Sequence, residues 1–133
     1  MTEVMMAAGD GQDSRQVGGS LQLAPGLGLL SGVIVDQHFA ERGRISRLMA
    51  AIAQNPRLLG IGIDENTAVI ACEGQHFEVV GQGAVYVING QCITFTNLSE
   101  SEPDATISVH GVRLDVLSRG DRFDVVKRVA IHP

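Results

Sequence analysis

The sequence predicts an α/β fold: a parallel strand–helix–strand unit over residues 33–63, followed by an antiparallel strand meander. Three observations predict it. Val33-Ile34-Val35 and Leu58–Ile63 are continuous apolar runs, as expected of strands covered on both faces. Between them, Ile45, Leu48, Met49 and Ile52 fall at i, i+3, i+4 and i+7, the stripe of an amphipathic helix. After residue 66 the pattern becomes short alternating runs separated by glycine-containing turns.

Taken in order, Thr2–Ala8 reads as a short helix, and a glycine-rich loop extends to residue 20. Leu21–Leu23 reads as a short strand before a turn at Pro25 and Gly26. The helix is predicted from about Glu41 to Gln54, where Asn55-Pro56 ends it. The strand that follows stops at Asp64-Glu65-Asn66, and a right-handed crossover joins it to the first. The meander is assigned to Thr67–Ala71, His76–Val80, Ala84–Val87 and Cys92–Phe95. A polar loop over Asn97–Asp104 leads to a final hairpin, 107–117 with 122–129, around Arg119-Gly120-Asp121. The length fits a single domain over 1–133.

Composition narrows the function. The formal net charge is −5, and there are four Phe, one Tyr and no Trp, which argues against non-specific nucleic-acid binding and base-stacking platforms. No apolar run reaches membrane-spanning length, so no membrane partner is expected. The first residues lack the basic and apolar regions of a signal peptide. Cys72 and Cys92 stand alone without a CxxC motif and read as free thiols in a reducing cytoplasm, with a disulfide between them as the alternative. No cofactor or metal is expected.

The candidate chemistry sits at two strand ends, Asp36-Gln37-His38 and Asp64-Glu65-Asn66. Ligands of open α/β sheets collect beyond the carboxyl ends of parallel strands. A crossover makes these two ends neighbours or near-neighbours, so a His and a Glu can meet as the base and orienting acid of a hydrolytic triad. The competing reading is that a chain leaving the core is simply polar there. Arg42, Arg44 and Arg47 occupy the first turns of the helix. Cations there oppose the helix macrodipole, at ~0.3–1 kcal/mol each when exposed. Asp36, Glu41 or a ligand carboxylate would offset that cost. The alternative is a solvated face, because Arg44 and Arg47 lie about 60° apart and away from the apolar stripe. No serine lies in a Gly-x-Ser-x-Gly elbow, so no nucleophile is visible. A metal site of His38, Asp36 and Glu65 is a weaker reading, because Asp36 and His38 at i, i+2 share only one side of a strand.

The stretch "PGLGLLSGVIVDQHFAERGRISRLMAAIAQNPRLLGIGIDENTAVI" resembles the cyanophycinases, serine-type exopeptidases related to peptidase E. "DQHF-x-x-RGR-x-x-R" and "GIGIDENTA" carry the resemblance, which is strongest over residues 20–70. It implies hydrolysis of cyanophycin, a poly-aspartate with arginine on each side chain, to β-Asp-Arg dipeptides. It also implies a three-layer α/β/α sandwich of which this chain is the C-terminal half. By position, His38 matches the catalytic base and Glu65 its acidic partner. Asp36, Gln37, Arg42, Arg44 and Arg47 match the substrate pocket and its supports. Asp36 and Gln37 would hold arginine side chains, and the arginines aspartyl carboxylates.

The departure from the family is at the start. The nucleophile's Gly-x-Ser-Ala-Gly elbow is expected just upstream of a segment like "MTEVMM" and is absent from these residues. The chain alone is therefore expected to be inactive and, with an open parallel-sheet edge, poorly soluble. Expected partners are cyanophycin or β-Asp-Arg peptides, and a second copy (homodimer) or a complementing N-terminal half. A non-catalytic module that binds Asp- and Arg-bearing peptides stays open as the alternative.

Overall fold

A computed structural model describes residues 2–8, 22–25, 30–37, 45–72, 75–98 and 106–133. In chain order its elements are β1 (Thr2–Ala8), β2 (Gln22–Pro25), β3 (Leu30–Gln37), α1 (Ile45–Gln54), β4 (Leu59–Ile63), β5 (Thr67–Cys72), β6 (His76–Gly81) and β7 (Val85–Asn89). Then come β8 (Phe95–Thr96), β9 (Val109–His110), β10 (Arg113–Leu117), β11 (Arg122–Asp124) and β12 (Val129–Ile131). A six-stranded sheet runs β10-β7-β4-β3-β1-β2, a four-stranded sheet runs β12-β11-β6-β5, and β8 pairs with β9.

The strand–helix–strand unit forms as its pattern predicts. β3 and β4 pair in parallel, with Val33 opposite Leu59 and Gln37 opposite Ile63. Alternation along β3 sends Val33 and Val35 to one face and Ile34 to the other. Ile34 meets Leu48, Ala51 and Ile52 of α1 together with Ile88 of β7. The predicted helical stripe is shifted, because Ile45 is exposed while Ala50, Ala51 and Ala53 are buried. Asn55 ends α1: its backbone N–H donates to Ala51 O at 3.0 Å, its side chain donates to the same oxygen, and Pro56 follows. Gly60 lies directly beneath the helix. A Cβ there would sit 2.9 Å from Ile52 Cγ1 and 3.2 Å from Leu48 Cδ1. Glycine is what allows so close an approach.

The opposite face holds the larger core. Val35, Leu59, Ile61 and Val87 pack against Phe77 and Phe123 of the four-stranded sheet. The two phenylalanine rings stack with centroids 5.6 Å apart. The described residues thus place a helix on one face of the six-stranded sheet and a second sheet on the other. The alternating apolar residues of β6, with Phe77 and Val79 buried, supply that cover.

Three expectations are corrected. Thr2–Ala8 is a strand, not a helix: it runs parallel to β3, with Val4 opposite Ile34. Seven residues are too few to hold a helix alone, whereas the edge of β3 offers a full ladder of backbone partners. β1 and then β2 therefore cover the sheet edge that was expected to be open. The rest of the predicted N-terminal loop lies outside the described residues. Of Cys92–Phe95, only Phe95 is in a strand, because a turn in which Ile93 N donates to Gly90 O precedes it. Finally, 107–117 and 122–129 do not form a hairpin. β10 pairs with β7, whereas β11 pairs with β6 and β12. The turn at Ser118–Asp121 carries the chain between the sheets, so Leu117 and Phe123 both enter the core from opposite sides.

Candidate active site

The site grows from the carboxyl ends of β3 and β4. Asp36 follows Ile34 by two residues and so shares its face, under the first turns of α1. Arg47 answers it from the helix. Arg47 Nε donates to Asp36 Oδ2 at 2.8 Å, and Nη2 donates to Oδ1, a fork-on-fork pair. Asp36 is 1% exposed and the Arg47 side chain 12%. The hydrogen bond to Asp36 raises the Arg47 pKa, against the opposing effect of burial. The anionic partner of Arg47 is therefore Asp36, and Arg47 is not on a solvated face. Such a pair contributes little net stability, but its desolvated charges demand each other.

Gln37, the last residue of β3, is exposed beside the end of β4. There the turn after Ile63 is tied down by several hydrogen bonds. Asp64 N donates to Ala84 O at 3.1 Å, and Ala84 N donates to Asp64 Oδ2 at 3.0 Å. Thr67 Oγ1 donates to Glu65 O at 2.9 Å and accepts from Gly83 N at 2.8 Å. Gln82 N donates to Asn66 O at 3.0 Å, and Gly81 makes room for that approach: its φ is +107°, and a Cβ there would lie 2.3 Å from Asn66 O. Glu65 is exposed on the turn so held.

The structure thus brings Asp36, Gln37 and Arg47 together at one strand tip and sets Glu65 at the adjacent tip. His38, Arg42 and Arg44 lie outside the described residues. Sequence reasoning missed the anchoring of the Glu65 turn by Asp64 and Thr67. The only signal was that two acids, not one, follow the strand. It also missed Tyr86, which lies across Gly62 from Asp36 in the same row of the sheet and packs on the Ile34–Leu48 cluster. No local pattern predicts that row, because it depends on the register of three strands. Among the described residues, no three His, Cys, Asp or Glu side chains cluster closely enough to hold a metal ion. No helix among them is long and apolar enough to cross a membrane.

No protein-family model matches the chain. Curated relatives do. A cyanophycinase of Trichormus variabilis is 39% identical over 126 residues, 95% of this chain and 42% of that protein. One of Geminocystis herdmanii is 39% identical over 104 residues, 78% of this chain and 38% of that protein. One of Synechococcus elongatus is 36% identical over 123 residues, 92% of this chain and 38% of that protein. The chain matches a partial region of the cyanophycinases. It spans about two-fifths of the length of these curated relatives. The 126-residue match leaves 133 − 126 = 7 residues of the chain aside, so both strand tips fall within the cyanophycinase-like region.

Proposed function

We propose that this chain supplies part of the site of a cyanophycin-hydrolysing, serine-type exopeptidase related to peptidase E, working in the cytoplasm and releasing β-Asp-Arg dipeptides. The supporting observation is that the cyanophycinase-like stretch spans two adjacent parallel strand tips that carry Asp36-Gln37, with His38 next in sequence, and Asp64-Glu65. In this reading His38 takes the proton of the nucleophile. Glu65, on its anchored turn, orients the imidazole and stabilises its charged form. Gln37, Arg42 and Arg44 meet the substrate, whose aspartyl carboxylates suit arginine forks. The Asp36–Arg47 pair shapes the pocket wall by locking α1 onto the tip of β3 and offers little free charge of its own. The nucleophile comes from polypeptide outside these 133 residues, a complementing chain or segment. The isolated chain is inactive.

Co-expression with a chain carrying Gly-x-Ser-Ala-Gly tests this. Expected is release of β-Asp-Arg from cyanophycin by the pair, none by the 133-residue chain alone, and none by the pair with His38→Ala. Release by the chain alone, or by the His38→Ala pair, overturns the assignment. One observation favours a second reading: no serine among these residues lies in a nucleophile elbow. A non-catalytic module would bind β-Asp-Arg peptides unaided, and His38→Ala would change that affinity little. Isothermal titration with the dipeptide separates the two.

A further inference from the structure

We propose that Thr67 is a positioning residue for Glu65, its hydroxyl fixing where the Glu65 carboxylate stands at the strand tip; this rests on the reading of Glu65 as the orienting acid. Two connections cross between the sheets side by side. Residues 64–66 leave β4 of the six-stranded sheet for β5 of the four-stranded sheet, and residues 82–84 return from β6 to β7. Three consecutive backbone N–H groups of the second connection donate to the first. Gln82 N donates to Asn66 O at 3.0 Å, Gly83 N to Thr67 Oγ1 at 2.8 Å and Ala84 N to Asp64 Oδ2 at 3.0 Å. Glu65 sits in the middle of these acceptors, and the Thr67 hydroxyl holds its carbonyl at 2.9 Å.

The chemistry of this joint selects the residue. Thr67 Oγ1 donates to Glu65 O and accepts from Gly83 N at the same time. A hydroxyl both donates and accepts through one atom, so serine can replace threonine here, whereas valine, of nearly the same shape, cannot. The fit leaves no slack. A Cβ at Gly83 would lie 2.5 Å from Thr67 Oγ1 and 2.7 Å from Asp64 Cβ. Asn66, at a φ of +55°, turns the chain back so that Thr67 reaches the Glu65 carbonyl. Of the two neighbouring acids, half-buried Asp64 binds the scaffold through Ala84, while Glu65 is exposed. A displacement of about 1 Å near a reacting centre costs about 100-fold in rate, and an exposed glutamate on an untied turn has that freedom. The hydroxyl therefore acts through Glu65.

The test uses the 133-residue chain alone and then its pair with the chain carrying Gly-x-Ser-Ala-Gly. In the chain alone, Thr67→Val should speed amide hydrogen exchange at Gly83 by about tenfold, and Thr67→Ser should hold it within about threefold of the original. Exchange at Ile61 and Val87 should stay unchanged and so report an intact core. In the pair, Thr67→Val should lower kcat by about 10- to 100-fold with KM within about twofold, and Thr67→Ser should keep most of the rate. The acid limb of kcat/KM should move to lower pH in Thr67→Val, because an imidazolium without its aligned carboxylate gives up its proton more readily. A purely structural loss leaves that limb in place. Gly83→Ala crowds Thr67 from the other connection, should give the same kinetic signature, and carries the test if Thr67→Val does not fold. Unchanged Gly83 exchange, an unshifted acid limb, or a serine variant as slow as the valine variant overturns the inference. If Glu65→Gln slows the pair and Thr67→Val does not, the role of Thr67 falls alone. If Glu65→Gln leaves the pair at full rate, the reading of Glu65 falls and takes the role of Thr67 with it.

Discussion

On the face turned to the four-stranded sheet, Val35, Leu59 and Ile61 meet Phe77 and Phe123 in a broad apolar layer. On the face turned to α1, the same strands contribute Ile34, Gly60 and, at the tip, the Asp36 carboxylate with its arginine. One face binds two sheets by area. The other is small, closely fitted and charged at one end. The difference shows how two-residue alternation lets a single strand carry stability on one side and a site on the other. It also shows why the site side needs a glycine: a tightly seated helix is what holds Arg47 over the strand tip.

The largest effect is expected where the area is. Phe77→Ala or Phe123→Ala removes half of the stacked pair between the sheets and should cost ~3–5 kcal/mol in urea unfolding. A cost under ~1 kcal/mol would mean that the second sheet is not a stabilising layer. Close behind comes Arg47→Met, which leaves a carboxylate that is 1% exposed without its fork and should cost up to ~3–5 kcal/mol. Adding Asp36→Asn should recover part of that loss. If the double variant is no better than Arg47→Met, the penalty is packing and not uncompensated charge. Gly60→Ala crowds Ile52 and Leu48 and should cost ~1–3 kcal/mol, a test of how tightly the helix side is fitted.

The smallest effect lies on the rim of the second sheet. The backbone N–H of Lys127 chiefly, with His76 nearby, holds the Asp124 carboxyl below its usual pKa. The Ser118 N–H and His132 do the same for Asp121. Both groups therefore stabilise the fold above the unfolded carboxylate pKa of ~3.9, and that contribution is lost as pH falls through their depressed folded values. The melting temperature should drop as pH is lowered below about 4, and D124N should flatten part of that drop. An unchanged acid limb in the variant would show that the Asp124 turn does not respond to pH.

Much of the parallel unit was legible because its signals are local. The Ile45–Ile52 stripe, the Asn55-Pro56 stop and the apolar runs on either side each report on their own backbone. The N-terminal strand was not legible, because Thr2–Ala8 is short enough to follow whichever partner it finds. The apparent final hairpin misled for a related reason: Ser118–Asp121 has turn chemistry whether it joins two paired strands or two sheets. At the candidate site, the polar strand tips were readable from residue type, since Asp, Gln and Glu following apolar runs stand out. The Asp36–Arg47 pairing was only one of several partners that the sequence allowed.

What the sequence determined by itself is the α/β unit, the placement of polar groups at the ends of its two parallel strands, and the cyanophycinase-like motifs they carry. What only the tertiary structure decided is which carboxylate Arg47 takes, which sheet each late strand joins, and which face of the central sheet is left to form the site. The physical reason is range. Periodicity and turn chemistry act over a few residues, whereas strand register and ion pairing join residues far apart in the chain, and those choices are made by burial and charge balance once the layers meet.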